Sequence, residues 1–268
     1  MPVLALALFS TSCKKEETTP TPPSDPLSEF VLISETPANI LNYTVKVYAT
    51  EDLFVGYNYI LVQVTDNATG LVLDNPDVMF MPMMEMNSGM KHACPVEQPD
   101  YNASLKVMEG TITFVMPSTG MGQWILGLKL KNTAGIEEEL MLNVEVVQKD
   151  EPQLFSFISA NDPNQSLFVA LVNPRMPQIG INDFEVVVYE RLTMMEWPAV
   201  DLLNIEIDPE MPTMGHGSPN NVHPTDMGDG HYLGKVNFTM SGYWKVNMKF
   251  MNSTNEMMKD DAYFDITF

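Results

Sequence analysis

The sequence is poor in cysteine, histidine and basic residues. Its 268 residues include two Cys, four His and 14 Lys plus Arg, against 35 Asp plus Glu, for a formal net charge of −21. Two cysteines cannot build a disulfide framework. The negative charge argues against nucleic-acid binding, because a polyanion would be repelled. The acidic residues are scattered, as expected of a solvated surface, and form no calcium loop.

Long apolar runs and enzyme motifs are also missing. No run approaches the ~20 residues of a membrane-spanning helix. The sequence has no Gly-x-Ser-x-Gly elbow, phosphate loop, His-Glu-x-x-His or Cys-x-x-Cys motif. A nucleophile made of Cys94 and His92 would need a third, orienting group, and none is evident. We therefore predict that the protein is not an enzyme.

Methionine is the residue present in excess. The chain has 22 of them, and six are concentrated between positions 79 and 90. Chemistry or packing must explain this cluster.

The N-terminal segment is typical of an export signal. Residues 1–12 are short and apolar, and Cys13 follows the small residues Thr11 and Ser12. This resembles the end of a bacterial lipoprotein signal, and the charged residues 14–17 resemble the export signal of Bacteroidetes surface lipoproteins. The alternative is a frayed terminus with a chance cysteine. The resemblance implies a lipid on Cys13.

A tether follows the signal. Residues 18–26 are rich in Thr and Pro and cannot bury a core. We expect residues 1–28 to be signal and linker, and the body to be extracytoplasmic and lipid-anchored, on the periplasmic or the exposed face of the outer membrane.

The remainder shows the two-residue alternation of β-strands. Short alternating apolar segments are broken by Gly, Pro, Asn and Asp, and no segment keeps a helical period. This pattern predicts an all-β sandwich protein. The clearest predicted strands are 43–48, 59–65, 111–116, 124–130, 140–147, 184–189, 235–240 and 244–251.

Several landmarks occur twice, in the same order. They predict two tandem domains, 29–149 and 150–268, with the boundary at the charged stretch that ends in Pro152. The paired landmarks are Gly56-Tyr57-Asn58 with Gly180-Ile181-Asn182, Met81-Pro82 with Met211-Pro212, His92 with His223, Gly110-x-x-x-Phe114-x-Met116 with Gly234-x-x-x-Phe238-x-Met240, and Trp124, Lys129 and Asn132 with Trp244, Lys249 and Asn252.

These motifs resemble the YtkA-like/FixH-like domain family, closely over 178–268 and more loosely over 55–147. The resemblance implies immunoglobulin-like sandwiches in an extracytoplasmic protein connected with copper handling and oxidase assembly. The family's Met-Pro-x-Met-x-His box falls on Met211, Met214 and His216. In the first half Glu85-Met86 stands where Gly215-His216 would be, so the histidine of the box is missing there.

The Met and His segments suit Cu(I). Thioether sulfur is a soft, uncharged ligand that binds Zn²⁺, Mg²⁺ and Ca²⁺ poorly. Cys94, without a partner if Cys13 is lipidated, is interpreted as a further ligand. The predicted copper ligands are Met81, Met83, Met84, Met86, Met90, His92 and Cys94 in the first domain, and Met211, Met214, His216 and His223 in the second.

Packing is the competing interpretation for several of these residues. Met116, Met141, Met240 and Met248 lie at predicted strand positions and are expected in the core, as are Trp124 and Trp244. Met79 alternates with Met81 and Met83, so the three would share one face of an extended strand. Met227 and His231 are weaker ligand candidates.

Two functions are compatible with these features. The first is a lipid-anchored protein that captures or delivers Cu(I), exchanging it with a donor or acceptor protein or an outer-membrane transporter. The alternative is an adhesion or complex-assembly module whose Met-rich loops contact a protein partner.

Overall fold

The protein is built of β-strands. The computed structural model describes residues 26–268, in which every named strand pair is antiparallel, so the predicted all-β class is confirmed. Within these residues no helix could cross a membrane. The predicted signal, Cys13 and the linker up to residue 25 lie outside the described residues.

The first sandwich comprises β1 to β10. One sheet has the order β1-β2-β3-β8-β7, with β4 added to β3, and the other has the order β10-β9-β5-β6. The strands are β1 (Val31–Ala38), β2 (Tyr43–Ala49), β3 (Gly56–Asp66), β4 (Leu71–Val72), β5 (Asp77–Met86), β6 (Lys91–His92), β7 (Val96–Asn102), β8 (Val107–Phe114), β9 (Gly122–Lys131) and β10 (Glu137–Val144).

The second sandwich comprises β11 to β19. Its sheets have the orders β11-β12-β13-β17-β16 and β15-β14-β18-β19, which repeat those of the first sandwich without a counterpart of β4. The strands are β11 (Leu154–Ser159), β12 (Asp162–Asn173), β13 (Gly180–Glu190), β14 (Asn204–Met211), β15 (His216–Gly217), β16 (Val222–Gly228), β17 (His231–Phe238), β18 (Tyr243–Met251) and β19 (Met257–Thr267).

Each sandwich has its own apolar core, because the alternating residues of its two sheets face each other. Trp124 and Trp244 are completely buried, as predicted. Met248 is also buried, but Met141 is 63% exposed on an outer sheet face, so its predicted core position is wrong. Met116 and Met240 lie two residues beyond the ends of β8 and β17 and are 37% and 39% exposed, so their predicted core positions are wrong as well.

Repeated side-chain hydrogen bonds show why the sequence landmarks recur. Asn58 donates to the carbonyls of Phe54 and Gly56, and Asn182 donates to those of Gln178 and Gly180. These amides close the bend before β3 and before β13, because each one bonds to a carbonyl on either side of that bend. The landmark asparagines are therefore structural.

The sandwiches meet through the outer faces of their larger sheets. A small apolar cluster joins Tyr57 and half-buried Tyr59 of β3 to the side chains of β12 and β13. The fully covered members from the second sandwich are Ala170, Val172, Val187 and Tyr189. Arg175 adds a hydrogen bond to the carbonyl of Tyr57 and lies over the ring of Tyr59.

A charged cluster lies beside this apolar contact. His231 is bonded through Nε2 to Glu97 of the first sandwich and through Nδ1 to Glu185 of the second, at 2.9 Å each. The hydroxyls of Tyr57 and Tyr189 also donate to Glu97, at 2.8 Å. We call these five residues the interface cluster. His231 is therefore a bridge between the sandwiches, and the structure does not place it with the metal-ligand candidates.

The pKa values in the interface cluster follow from these bonds. Burial by itself lowers the pKa of His231, but the bonds to Glu185 and Glu97 outweigh burial and raise it to about 9. Burial raises the pKa of Glu97, but the bonds from His231, Tyr57 and Tyr189 outweigh it, so the pKa of Glu97 is lowered. At neutral pH the cluster therefore holds a cation between two carboxylates.

This arrangement predicts a pH-dependent stability. The contribution of His231 is complete below its unfolded pKa of 6.5 and is lost as the pH rises through about 9. The contribution of Glu97 is lost on the acid side, as the pH falls below the ordinary glutamate range. We expect His231→Gln to destabilise the protein by about 1–3 kcal/mol at pH 6.5 and by much less at pH 9.5. Thermal unfolding of both proteins across this range measures the difference. A pH-independent difference would contradict the assignment.

Candidate metal centre

Strand alternation divides the methionines of β5 between two faces. Val78, Phe80 and Met84 point inward and are buried. Met79, Met81 and Met83 therefore lie on the opposite, outer face, where they are exposed or half-buried. The prediction that these three share a face is confirmed, but that face is turned away from the sandwich core.

Met81 and Met83 are thus separated from the other predicted ligands. Met81 packs over Gly127 of β9, beside the sulfur of Met141, and Met83 pairs with Ile125. Grouping Met81 and Met83 with His92 was wrong, because consecutive residues of a strand point to opposite faces. The methionines at 79, 81, 83 and 141 form a separate surface, which we call the outer methionine face.

The remaining predicted ligands Met84, Met86 and His92 lie together at one end of the first sandwich. Met84 pairs across the hairpin with His92, and Met84 and Met86 lie opposite Trp124 and Gly122. A Cβ placed on Gly122 would lie 2.7 Å from the sulfur of Met86 and 3.2 Å from that of Met84. Both thioethers therefore lie close together, in the space that a side chain at Gly122 would occupy.

His92 is the buried polar member of this group. Its ring is 4% exposed and packs edge-on against Trp124, with the centroids 5.2 Å apart. Nδ1 lies 3.1 Å from the carbonyl oxygen of Ala93. A carbonyl can only accept, so Nδ1 must be the donor, and the neutral ring then carries its lone pair on Nε2, as a metal ligand requires.

Nε2 of His92 is buried and has no hydrogen-bond partner among residues 26–268. Such a nitrogen costs about 1–3 kcal/mol when it stays unpaired. Buried polar atoms without partners are uncommon, and they often mark a bound ion or a functional role. This nitrogen is the main indication of a ligand at this site.

Met90 and Cys94 flank the group in different ways. Met90 is 55% exposed, and its carbonyl accepts from the amide of Met86. By the hairpin register Met90 lies on the same face as Met84, Met86 and His92. Cys94 is buried in the core, and burial raises the pKa of its thiol well above the usual range. Its place among the apolar core residues of the first sandwich is accounted for by packing alone.

The second sandwich repeats the arrangement of Met84, His92 and Trp124, which we call the trio. Met211 is buried and pairs with His216 across the β14–β15 hairpin. The ring of His216 lies 5.9 Å from that of Trp244, and its Nδ1 is 3.0 Å from the carbonyl oxygen of Gly217. A Cβ on Gly242, two residues before the Trp, would lie 2.8 Å from the terminal carbon of Met211.

This equivalence corrects the alignment of the two halves. His216, and not His223, corresponds to His92, since each is the cross-strand partner of a buried Met and each contacts the buried Trp. The histidine of the motif is therefore present in both sandwiches. Aligning Met81-Pro82 with Met211-Pro212 was misleading, because the first hairpin has a longer turn and Met84 is the counterpart of Met211.

His223 has a different position, on β16. Its Nδ1 accepts from the backbone amide of Ile207 at 3.0 Å. Gln98 makes the matching bond to the amide of Phe80 in the first sandwich. His223 therefore links β16 of one sheet to β14 of the other, away from His216.

Met214 and Met227 are exposed residues of the second sandwich. Met214 lies in the β14–β15 turn near His216, with its amide bonded to the carbonyl of Met211. Met227 lines a groove of about 600 Å³ beside His231. Only Met214 is thus near the repeated trio.

The donor set restricts the metals that could bind. In the described part of the chain, no three His, Cys, Asp or Glu side chains gather as metal ligands. The first site offers thioethers and one neutral imidazole, which suit a soft ion such as Cu(I) and fit Zn²⁺, Ca²⁺ and Mg²⁺ poorly.

Comparison with known proteins identifies one region. Residues 162–249 match the family model described as YtkA-like, which supports the expected family for the second sandwich. No curated protein matches the chain.

Two solved structures show distant likeness. The Yersinia pseudotuberculosis adhesin InvE has 12% identity and a TM-score of 0.28, with 85% of this chain and 58% of that chain covered. A conserved domain protein from Bacillus anthracis has 9% identity and a TM-score of 0.32, with 88% and 90% covered. The chain thus spans 58% of the length of the adhesin.

The unpaired Nε2 gives a prediction for the metal-free protein. We expect His92→Leu to leave the free energy of unfolding unchanged or to raise it by about 1 kcal/mol, because it removes an unsatisfied buried nitrogen. His216→Leu is the matched control. The ring of His216 is more exposed, so its removal should not stabilise the protein. Denaturant unfolding of both variants without metal provides the measurement. A loss of more than about 2 kcal/mol for His92→Leu would indicate a purely structural histidine.

Proposed function

We propose that the first sandwich binds Cu(I) through His92, Met84, Met86 and Met90. The observation that carries this proposal is the buried Nε2 of His92, which has no partner within residues 26–268 and lies beside two converging thioethers. An unpaired buried nitrogen in the tautomer that a metal needs is explained by a bound ion.

The chemistry of the group supports a monovalent soft ion. Thioethers are uncharged and imidazole binds a metal in its neutral form, so a bound Cu(I) would leave a single positive charge, in a protein with a large negative surplus. A divalent ion would remain poorly neutralised. The exposed Met90 gives the ion a route from solvent by exchange of one thioether for another.

The second sandwich carries a more open version of the site. It comprises Met211, His216 and Met214, of which Met214 is 61% exposed. We propose that it binds Cu(I) more weakly, since it has fewer thioethers and more solvent at the histidine. We also propose that both sandwiches are YtkA-like domains, because their strand orders agree. The connection of this family with copper handling supports the Cu(I) proposal.

The cellular setting is part of this proposal. A lipid on Cys13 and the Pro/Thr tether would hold the sandwiches outside the cytoplasm, at the outer membrane. The protein would then capture copper there or pass it to an acceptor protein or a transporter.

Cu(I) titration against a competing chelator tests the proposal. We expect tight binding by the first site, reduced at least tenfold by Met84→Leu combined with Met86→Leu, because two ligands are lost. The control is Met79→Leu combined with Met83→Leu on the outer methionine face, which should bind like the unchanged protein. Absence of tight binding by the unchanged protein would overturn the proposal. So would an equal loss in both double variants.

The outer methionine face supports a second candidate function, a contact with a protein partner. Four methionines cover the outside of this sheet in the first sandwich. The positions that match Met79, Met81 and Met83 in the second sandwich are occupied by carboxylates, Glu206, Asp208 and Glu210. Tyr263 stands at the position that matches Met141. The fold therefore does not require the methionines, and flexible thioethers suit an adaptable contact surface.

Capture of partners from the native membrane fraction tests this alternative. Replacing Met79, Met83 and Met141 together by Glu should abolish capture and leave Cu(I) binding intact. Capture should also persist after copper has been removed by chelation. A partner that still binds the triple variant would contradict this role of the face.

A further inference from the structure

The second sandwich contacts the short segment that follows His92 at both of its ends, at Ala93 and at Glu97. β6 contains only two residues, and its pairing with β5 is limited to two positions. The chain then continues through residues 93–97 into β7. This 92–97 segment carries the buried histidine of the proposed copper site, so what holds it in place bears on that site.

The first contact is a backbone hydrogen bond. The amide of Ala93 donates to the carbonyl of Met194 in the second sandwich, at 2.9 Å. The loop around Met194 is folded on itself, since the amide of Leu192 bonds to the carbonyl of Glu196 and the amide of Met195 to the hydroxyl of Thr193. A structured loop therefore contacts the residue directly after His92.

The second contact is Glu97 at the other end of the segment. Of the three groups that donate to its carboxylate, Tyr189 and His231 belong to the second sandwich. Glu97 is half-buried, and its bond to His231 is charge-assisted. The segment is therefore fastened to the second sandwich at residues 93 and 97.

The equivalent segment of the second sandwich lacks such support within residues 26–268. Val222 corresponds to Glu97, since their carbonyls occupy matching places over Gly234 and Gly110. Val222 is 53% exposed. The site at His216 thus contains a similar Met, His and Trp arrangement without a neighbouring sandwich.

We propose that docking of the second sandwich positions His92 for the ion, so that copper binding by the first site and docking of the two sandwiches are energetically coupled. Glu97 and His231 are then positioning residues, which act on the site through the 92–97 segment. Coupling is reciprocal, so Cu(I) should also tighten the docking. This inference rests on the proposed Cu(I) function of the first site.

The variants Glu97→Gln and His231→Gln in the full chain test the coupling. We expect the Kd of the first site for Cu(I), measured by chelator competition, to rise about five- to tenfold in each, in the range usual for coupled sites. The matched control is Glu109→Gln on the adjacent strand β8, because Glu109 bonds to Asn102 within the first sandwich. The control should bind like the unchanged protein.

A second measurement needs no variant. Hydrogen exchange of the unchanged protein, with and without Cu(I), should show slower exchange at Ala93 and along β13 when the ion is bound. The amides of β19, in the sheet of the second sandwich away from the interface, should not change. Unchanged exchange at Ala93 in a copper-bound protein would overturn the coupling even if a variant failed to fold.

The outcomes separate this inference from the proposed function. If the unchanged protein does not bind Cu(I), the proposed function fails and the coupling fails with it. If the unchanged protein binds and both interface variants bind equally well, only the coupling fails. If Glu109→Gln weakens binding as much as Glu97→Gln, the effect is general destabilisation and the coupling is likewise rejected.

Discussion

The buried tryptophan at the end of each sandwich is the contact on which both candidate sites depend. Trp124 donates through its indole nitrogen to the carbonyl of Met116, and Trp244 donates in the same way to Met240. This bond fixes the plane of the ring between the two sheets. The histidine ring makes a T-shaped contact with it, while the pairing of β5 with β9 and of β14 with β18 places the methionine beside it. The tryptophan thus orients two side chains that lie far from it in sequence.

The two sandwiches use this arrangement differently. The longer hairpin of the first sandwich adds Met86 and Met90 to the face that carries Met84, and it covers His92 more completely than the short β14–β15 hairpin covers His216. Position 97 is an interface carboxylate in the first sandwich, whereas its counterpart Val222 faces solvent. The shared strand order therefore supports one enclosed and one open site, a difference set by turn length and by the neighbouring sandwich.

Much of this could be predicted from the sequence, and the failures have specific physical reasons. The alternation that predicted the strands also separates Met79, Met81 and Met83 from Met84, and neighbouring Val78 and Phe80 indicate which face is buried. The equivalence of His92 and His216 could not be found by spacing, because hairpin length differs between the halves. His231 was beyond sequence reasoning, since its partners Glu97 and Glu185 are remote in the chain and meet only when the sandwiches dock.

The interface cluster shows how charge and packing divide their roles in this docking. The apolar contact around Tyr57 and Val187 stabilises association but has little directional preference. Burying His231 between two carboxylates requires desolvation of all three, which offsets much of their attraction. Their bonds nevertheless need defined distances and angles, so a rotated or shifted docking would leave charges unpaired at a cost of several kcal/mol. We infer that the apolar cluster makes the sandwiches associate and that Glu97, Glu185 and His231 select one orientation. That orientation brings the carbonyl of Met194 to the amide of Ala93, next to the proposed copper-binding histidine.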